Sequence, residues 1–238
     1  MHAIRLAHCS DIHLDGHSYA KGGADAARDG FVAVLAAIRA HQPDLLLYAG
    51  DLFDHNRARA ETIAFAKAQL AAQPFPIVMI PGNHDCLDPD GIFRRHNFNE
   101  IDNVTILAAP EGEIVDLPML DVTVWGRGML EHNASFRPLG GLPTRPAGRR
   151  WFFGMGHGMY VPEGETTDRS SPIHYHEIAD SDCDYIALGH HHAALEITTP
   201  RAFAAFSGSP TDRLGRGASY IIADLVKGTP PSVTVHTI

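Results

Sequence analysis

Five short polar segments interrupt a chain otherwise rich in apolar runs, and they constrain its folding more than any other feature. They are Asp11-Ile12-His13, Gly50-Asp51-Leu52-Phe53-Asp54, Gly82-Asn83-His84-Asp85, Gly156-His157-Gly158 and Gly189-His190-His191-His192. Each lies at the end of a run of strand length: Ala3 to His8, Asp44 to Ala49, Phe75 to Ile80, Trp151 to Gly156 and Tyr185 to Leu188. In open α/β sheets, ligands collect in the crevice beyond the carboxyl ends of the strands. The segments are therefore expected to meet in one place.

The stretches between the first three strands read as helices. Phe31, Val34, Leu35 and Ile38 recur at i, i+3, i+4 and i+7, which predicts an amphipathic helix over about residues 25–41. Ile63, Ala66 and Leu70 mark a second helix, closed by Pro74. Strand and helix in alternation imply parallel pairing with right-handed crossovers. After residue 100 the pattern turns to strands: Val104–Leu107, Glu113–Val115, Val122–Trp125, Leu195–Thr198, Ala202–Phe206, Tyr220–Val226 and Val233–Thr237. One short helix is expected near Pro172–Ala179, and residues 137–149 read as a loop. The expected fold is α/β, a four-layer αββα sandwich of two mixed β-sheets flanked by helices. With 238 residues and 45% apolar content the chain can build one substantial core, and residues 1–238 are read as a single domain.

The donor types say what the crevice could hold. Residues i and i+2 on extended backbone point the same way, so Asp11 with His13, and His190 with His192, can each clasp one ion. Carboxylate, imidazole and amide without thiolate suit Mn²⁺, Fe or Zn²⁺. Several such groups buried together would be costly, and two divalent cations remove that cost. Cys9, Cys86 and Cys183 are odd in number and widely spaced, which argues against a disulfide framework or a cysteine-type zinc site. No stretch approaches the roughly 20 apolar residues that cross a bilayer, and no signal peptide is apparent, so a cytoplasmic protein without membrane attachment is expected. A net charge of −9 argues against a broad basic face for DNA, with Arg145, Arg149 and Arg150 the one basic concentration.

In the order D-x-H, G-D-x-x-D, G-N-H-D, G-H and G-H-x-H, the segments resemble the calcineurin-like metallophosphoesterase superfamily from residue 11 to 192. Ser10-Asp11-Ile12-His13-Leu14, Ala49-Gly50-Asp51-Leu52-Phe53-Asp54 and Tyr185-Ile186-Ala187-Leu188-Gly189-His190 are similar to its SbcD-type DNA repair exonuclease branch, as is Phe206-Ser207-Gly208-Ser209-Pro210. The resemblance implies two divalent metal ions, Mn²⁺ first and Fe or Zn²⁺ as alternatives. Asp11, His13 and His192 would hold one ion, Asp51 would bridge, and Asn83, His157 and His190 would complete the second site. A metal-bridging hydroxide would attack the phosphorus. His84 would assist the leaving oxygen, and Asp54 would pair with His84 and orient it; a helix N-cap is the other reading of Asp54.

His17, His191, Ser207 and Ser209 stand near enough to the motifs to contact substrate, whereas Asp85 reads as a turn-stabilising acceptor. The implied activity is hydrolysis of phosphodiester bonds, of the DNA exonuclease kind, with DNA ends as partner. The alternative is a small-molecule phosphoesterase acting on a nucleotide, a cyclic nucleotide or a phospholipid headgroup. The nuclease branch continues into a capping domain and a segment that docks on an ATPase. This chain stops at Ile238, so a catalytic domain without cap or ATPase partner is expected.

Overall fold

The computed structural model describes residues 3–16, 23–212 and 217–238. His17 lies outside them. The first half runs β1 (Ala3–Cys9), α1 (Gly23–Ala40), β2 (Leu45–Ala49), α2 (Ala60–Ala71), β3 (Ile77–Ile80), α3 (Ile92–Arg95) and β4 (Val104–Ile106). There follow β5 (Glu113–Leu117), β6 (Val122–Gly126), β7 (Trp151–His157), β8 (Met159–Val161), β9 (Pro172–His174) and α4 (Tyr175–Ala179). The last elements are β10 (Tyr185–Gly189), β11 (Leu195–Thr198), β12 (Phe203–Phe206), β13 (Ser219–Val226) and β14 (Ser232–Thr237).

These strands form two six-stranded sheets, ordered β14-β13-β1-β2-β3-β4 and β11-β12-β10-β7-β6-β5, with β8 and β9 paired apart. In the first sheet β1 to β4 are parallel, as strand–helix alternation requires; β13 joins β1 antiparallel, and β14 joins β13 antiparallel at the edge. In the second, β6, β7, β10 and β12 are parallel, with β5 and β11 as antiparallel edges.

The central strands are apolar throughout because both of their faces are covered. In β2, Leu46 and Tyr48 join the cluster under α1 and α2, while Leu45, Leu47 and Ala49 turn to the opposite sheet. The same period of two divides Ile77 and Met79 from Val78 and Ile80 in β3, and Phe152 from Trp151, Phe153 and Met155 in β7. Each fully buried side chain of this size contributes about 1.5–3 kcal/mol, so the inter-sheet layer fixes how the two sets of strand ends face each other. The polar pair across this layer is His8 and Tyr185, 3.0 Å from Nδ1 to hydroxyl, and burial drives the His8 imidazole down to about 3.

The fourth layer is thin. Helices α1 and α2 cover the first sheet, whereas the outer face of the second packs against Leu139, Ile173 and the five-residue α4 with its Ile178. Residues 172–174, expected to begin a helix, instead form β9, because Pro172 and Ile173 pair with Met159 and Tyr160. No helix among the described residues is long and apolar enough to cross a membrane.

Candidate metal centre

The carboxyl ends of five strands converge. Asp11 follows β1, Asp51 follows β2, Asn83 follows β3, His157 ends β7 and His190 follows β10. Main-chain hydrogen bonds stitch neighbouring ends together, from Asp11 N–H to the Gly50 carbonyl (3.0 Å) and from Gly158 N–H to the Gly189 carbonyl (3.1 Å). The close approach needs glycine at two positions. A Cβ on Gly50, whose φ is +91°, would strike the His157 ring, and one on Gly189 would strike the Ala49 carbonyl. Asp11 (φ 58°), His13 (55°), Asp51 (57°) and His190 (101°) all adopt left-handed backbone. Such strain costs about 1–3 kcal/mol per residue and persists where the surroundings over-determine it.

The side chains close in on two adjoining points. Around the first, His13 Nε2 and His192 Nε2 are 3.2 Å apart, and Asp11 Oδ1 lies 3.8 and 3.7 Å from them. Around the second, Asn83 Oδ1 lies 3.0 Å from His157 Nε2 and 2.8 Å from His190 Nδ1. Asp51 stands between, its Oδ2 3.3 Å from His157 Nε2 and 3.8 Å from His13 Nε2. All seven residues named as candidate ligands are thus brought together.

Two of the imidazoles share one arrangement. His157 Nδ1 hydrogen-bonds the Ala49 carbonyl (2.7 Å) and His192 Nδ1 hydrogen-bonds Asp212 Oδ2 (3.2 Å), while His13 Nδ1 has Asp54 Oδ1 3.2 Å away as an ion-pair contact. An oxygen acceptor on Nδ1 keeps the proton there and presents Nε2 inward, the orientation that metal-ligating histidines take. Two donors each about 2.1 Å from one ion lie about 3.0–3.4 Å apart, which is the spacing of the inward nitrogens. Asp11 Oδ1 is buried without a hydrogen bond, a state that a cation would relieve. Asp11, His13 and His192 form one group whose donor atoms lie within 4.8 Å of one another, and Asp11, Asp51 and His157 form another. The donor set fits divalent cations.

Electrostatics point the same way. Burial acts against a charged His157, yet Asp51 holds its imidazole up at about 9. Burial likewise acts to raise Asp51, and the His157 charge overrides it and keeps the carboxylate well below its usual range. Burial together with repulsion from His157 takes His190 down to about 4. Two buried carboxylates therefore draw positive charge into the crevice, whether as protons or as cations.

The remaining predicted residues divide. His84 stands edge-on to His13, ring centres 4.6 Å apart, and its main-chain N–H donates to Asp51 Oδ1 (2.9 Å). The pairing of Asp54 with His84 takes a different form from that expected. His84 Nδ1 reaches the main-chain carbonyl of Asp54 at 2.7 Å, while the Asp54 carboxylate is 3.7 Å from that nitrogen and 3.2 Å from His13. Nor does Asp54 cap a helix. Asp15 meets the start of α2 instead, its Oδ2 accepting the Arg59 N–H (2.7 Å) and its Oδ1 the Thr62 hydroxyl (3.1 Å). Burial would raise the Asp15 carboxyl, but Arg59 holds it down at about 2.

Ser207 and Ser209 are corrected from substrate contacts to internal braces. Both are buried; Ser207 Oγ meets Ser10 Oγ at 2.9 Å, and the Ser209 hydroxyl donates to the Asp11 carbonyl at 2.6 Å. His191 is exposed, with Nδ1 2.8 Å from the Ala193 carbonyl, and stays outside the cluster. Asp85 is the acceptor expected, with a longer reach. Its carboxylate receives N–H bonds from Gly82, Leu52 and Phe53, tying two ligand loops together. Sequence reasoning misses Asp212; its signal is the continuation of the Ser-Gly-Ser-Pro phrase into Thr211-Asp212, where the Thr211 hydroxyl also grips the Ile12 carbonyl (2.9 Å).

Residues 4–194 match the family model described as calcineurin-like phosphoesterase. The chain belongs to that family. As a calcineurin-like phosphoesterase it is a metal-dependent phosphoric ester hydrolase; the family is dimetal-dependent, and the His/Asp clusters here could hold such ions. Over 87 residues, 34% of its length, this phosphoesterase is 32% identical to the DNA double-strand break repair protein Mre11 of Methanopyrus kandleri. It spans about a fifth of that relative, 19% of its length. Solved structures of the same fold include TT1561 of Thermus thermophilus, with TM-score 0.61, 10% identity and 99% of both chains covered. A dimetal phosphatase from Danio rerio has TM-score 0.62 and 11% identity, with 98% of both chains covered. An archaeal phosphodiesterase has TM-score 0.56 and 11% identity over 99% of this chain and all of that one. At such identities the likeness is one of fold.

Proposed function

We propose that this calcineurin-like phosphoesterase hydrolyses phosphodiester bonds with two divalent cations, Mn²⁺ first among them, and acts on DNA ends. The observation that carries the metal reading is the placement of Asp51 Oδ2 between His13 and His157, where one carboxylate serves both points. Asp11, His13 and His192 would hold one ion, and Asn83, His157 and His190 the other, with Asp51 common to both. When bound, the pair supplies Lewis-acid charge and a source of hydroxide near neutral pH. The protein orients the ions through Asp54, Ala49 and Asp212 behind the histidines. The Asp54 carbonyl accepts from His84 Nδ1–H, and an imidazolium there would carry a second hydrogen on Nε2, the one given to the leaving oxygen.

The similarity to Mre11 supports the nuclease reading, and the DNA substrate rests on it. Three buried, unpaired cysteines suit a reducing compartment and hence the cytoplasm. Residues 1–238 are read as one catalytic domain because β13 and β14, from the end of the chain, complete the sheet that β1 begins. A second reading, a small-molecule phosphoesterase, draws on the net charge of −9 and on a groove of about 750 Å³. That groove runs from Asn83 and His84 past Asn56, Arg57 and Arg95, a size that suits a single nucleotide.

Manganese-loaded protein should cleave bis-p-nitrophenyl phosphate faster than p-nitrophenyl phosphate and release nucleotides from linear duplex DNA. Diester cleavage with intact DNA would give preference to the small-molecule reading; no hydrolysis of any of the three would remove both. Asp212→Asn, which weakens the acceptor behind His192, should lower affinity for the ion at the first point by about 10–100-fold in a manganese titration. An unchanged titration would deny Asp212 that role.

A further inference from the structure

Two imidazoles outside the ligand set bracket the cluster. His84 flanks the first point through His13, and His132 flanks the second, its ring tilted over His190 with centres 5.6 Å apart. His132 follows β6 in a segment with no regular structure, and one residue anchors it. The Ser171 hydroxyl meets His132 Nδ1 at 3.0 Å, the Ser171 N–H donates to the Asn133 carbonyl (2.8 Å), and the Ser171 carbonyl accepts from Met159 N–H (2.9 Å). Ser171 is buried in left-handed backbone, φ 51°. Its carbonyl packs so close to Gly158 that any Cβ there would collide with it. His132 is thus tied, through a strained and buried serine, to the strand end that carries His157. Strain of this kind is kept where the surroundings dictate it.

An exposed histidine with no task needs no such anchor. His132 is exposed, and with Nδ1 committed to Ser171 no described group hydrogen-bonds its Nε2. The Ser171 hydroxyl lies 3.0 Å from Nδ1 and 4.0 Å from Met129 Sδ. We propose that His132 takes the tautomer with its ring hydrogen on Nε2, the Ser171 hydroxyl donating to Nδ1, and that it contacts the substrate. Through Nε2–H it donates a hydrogen bond to a phosphoryl oxygen turned away from the leaving group, beside the cation that His157 and His190 would hold. This rests on the metal-centre reading above, with His84 on one side of the phosphorus and His132 on the other.

The test titrates inorganic phosphate into manganese-loaded wild type, His132→Ala and His132→Gln by calorimetry, with metal content measured alongside. Glutamine places an amide N–H near the position of Nε2–H. All three proteins should carry the same manganese. His132→Ala should bind phosphate about 10–100-fold more weakly, the worth of one hydrogen bond to a charged group, and His132→Gln should recover most of that. The kcat/KM on bis-p-nitrophenyl phosphate should fall in parallel. Ser171→Ala, which keeps the imidazole but loosens it, should weaken phosphate binding by a smaller factor. Wild-type phosphate affinity in His132→Ala, or loss of manganese from it, would overturn the inference and leave the metal centre standing. Wild-type protein that takes up no manganese, or binds no phosphate, would overturn that reading and this inference together.

Discussion

Replacing Asp51 with asparagine is expected to lower kcat/KM on a diester by on the order of 10⁴-fold, about 5.4 kcal/mol of transition-state stabilisation. Bound manganese should fall with it, from about two ions per chain toward one. Asp51 Oδ2 lies 3.3 Å from His157 and 3.8 Å from His13, facing both points, and a second carboxylate, Asp11, falls in both donor groups. Asparagine keeps the volume and the acceptor for the His84 N–H, so the loop should hold its shape. What is lost is the charge that draws two cations into one buried crevice. Elemental analysis after gel filtration, paired with initial rates, checks this. A variant that keeps both ions and turns over within tenfold of wild type would rule out a shared carboxylate.

The second large effect belongs to His84. His84→Ala should retain both ions, since neither proposed ion site draws on His84, while kcat on DNA falls by about 10²–10⁴. The loss should depend on the leaving group. A nucleoside alkoxide needs a proton as its bond to phosphorus breaks; p-nitrophenolate, a far weaker base, leaves without one. On bis-p-nitrophenyl phosphate the same variant should therefore lose about tenfold or less. Equal losses on both substrates would point to phosphate binding in place of leaving-group assistance, and would return the Asp54 carbonyl contact at 2.7 Å to a structural role.

Much of this architecture can be read from the chain because its signals are local. Leu45 to Ala49 and Tyr185 to Gly189 are buried on both faces, so their unbroken apolar runs announce interior strands without reference to the rest of the fold. The candidate ligands are legible for the same reason, standing at the end of such a run or a few residues past it. The shorter pieces are not. Residues 92–95 and 159–161 make elements of four and three residues, too short to display any period. Pro172 to His174 becomes a strand through pairing with residues 159–161, a partnership that no local pattern encodes.

Second partners are hidden in the same way. Asp212 lies 20 positions from His192, and Ser209 lies 198 from Asp11; only folding brings them together. The family resemblance implies Asp54 as the partner of His84. The packed geometry puts its carboxylate on His13 and leaves the main-chain carbonyl for His84.

The grip of residues 207–212 on the loop after β1 also ties the candidate ion pocket to the completed sheet. The hydroxyls of Ser209 and Thr211 hold the Asp11 and Ile12 carbonyls, and β13 zips alongside β1. Carboxylates and imidazoles not yet gathered in this way hold a stray ion only weakly, so affinity for a cation would be coupled to closure of the whole fold.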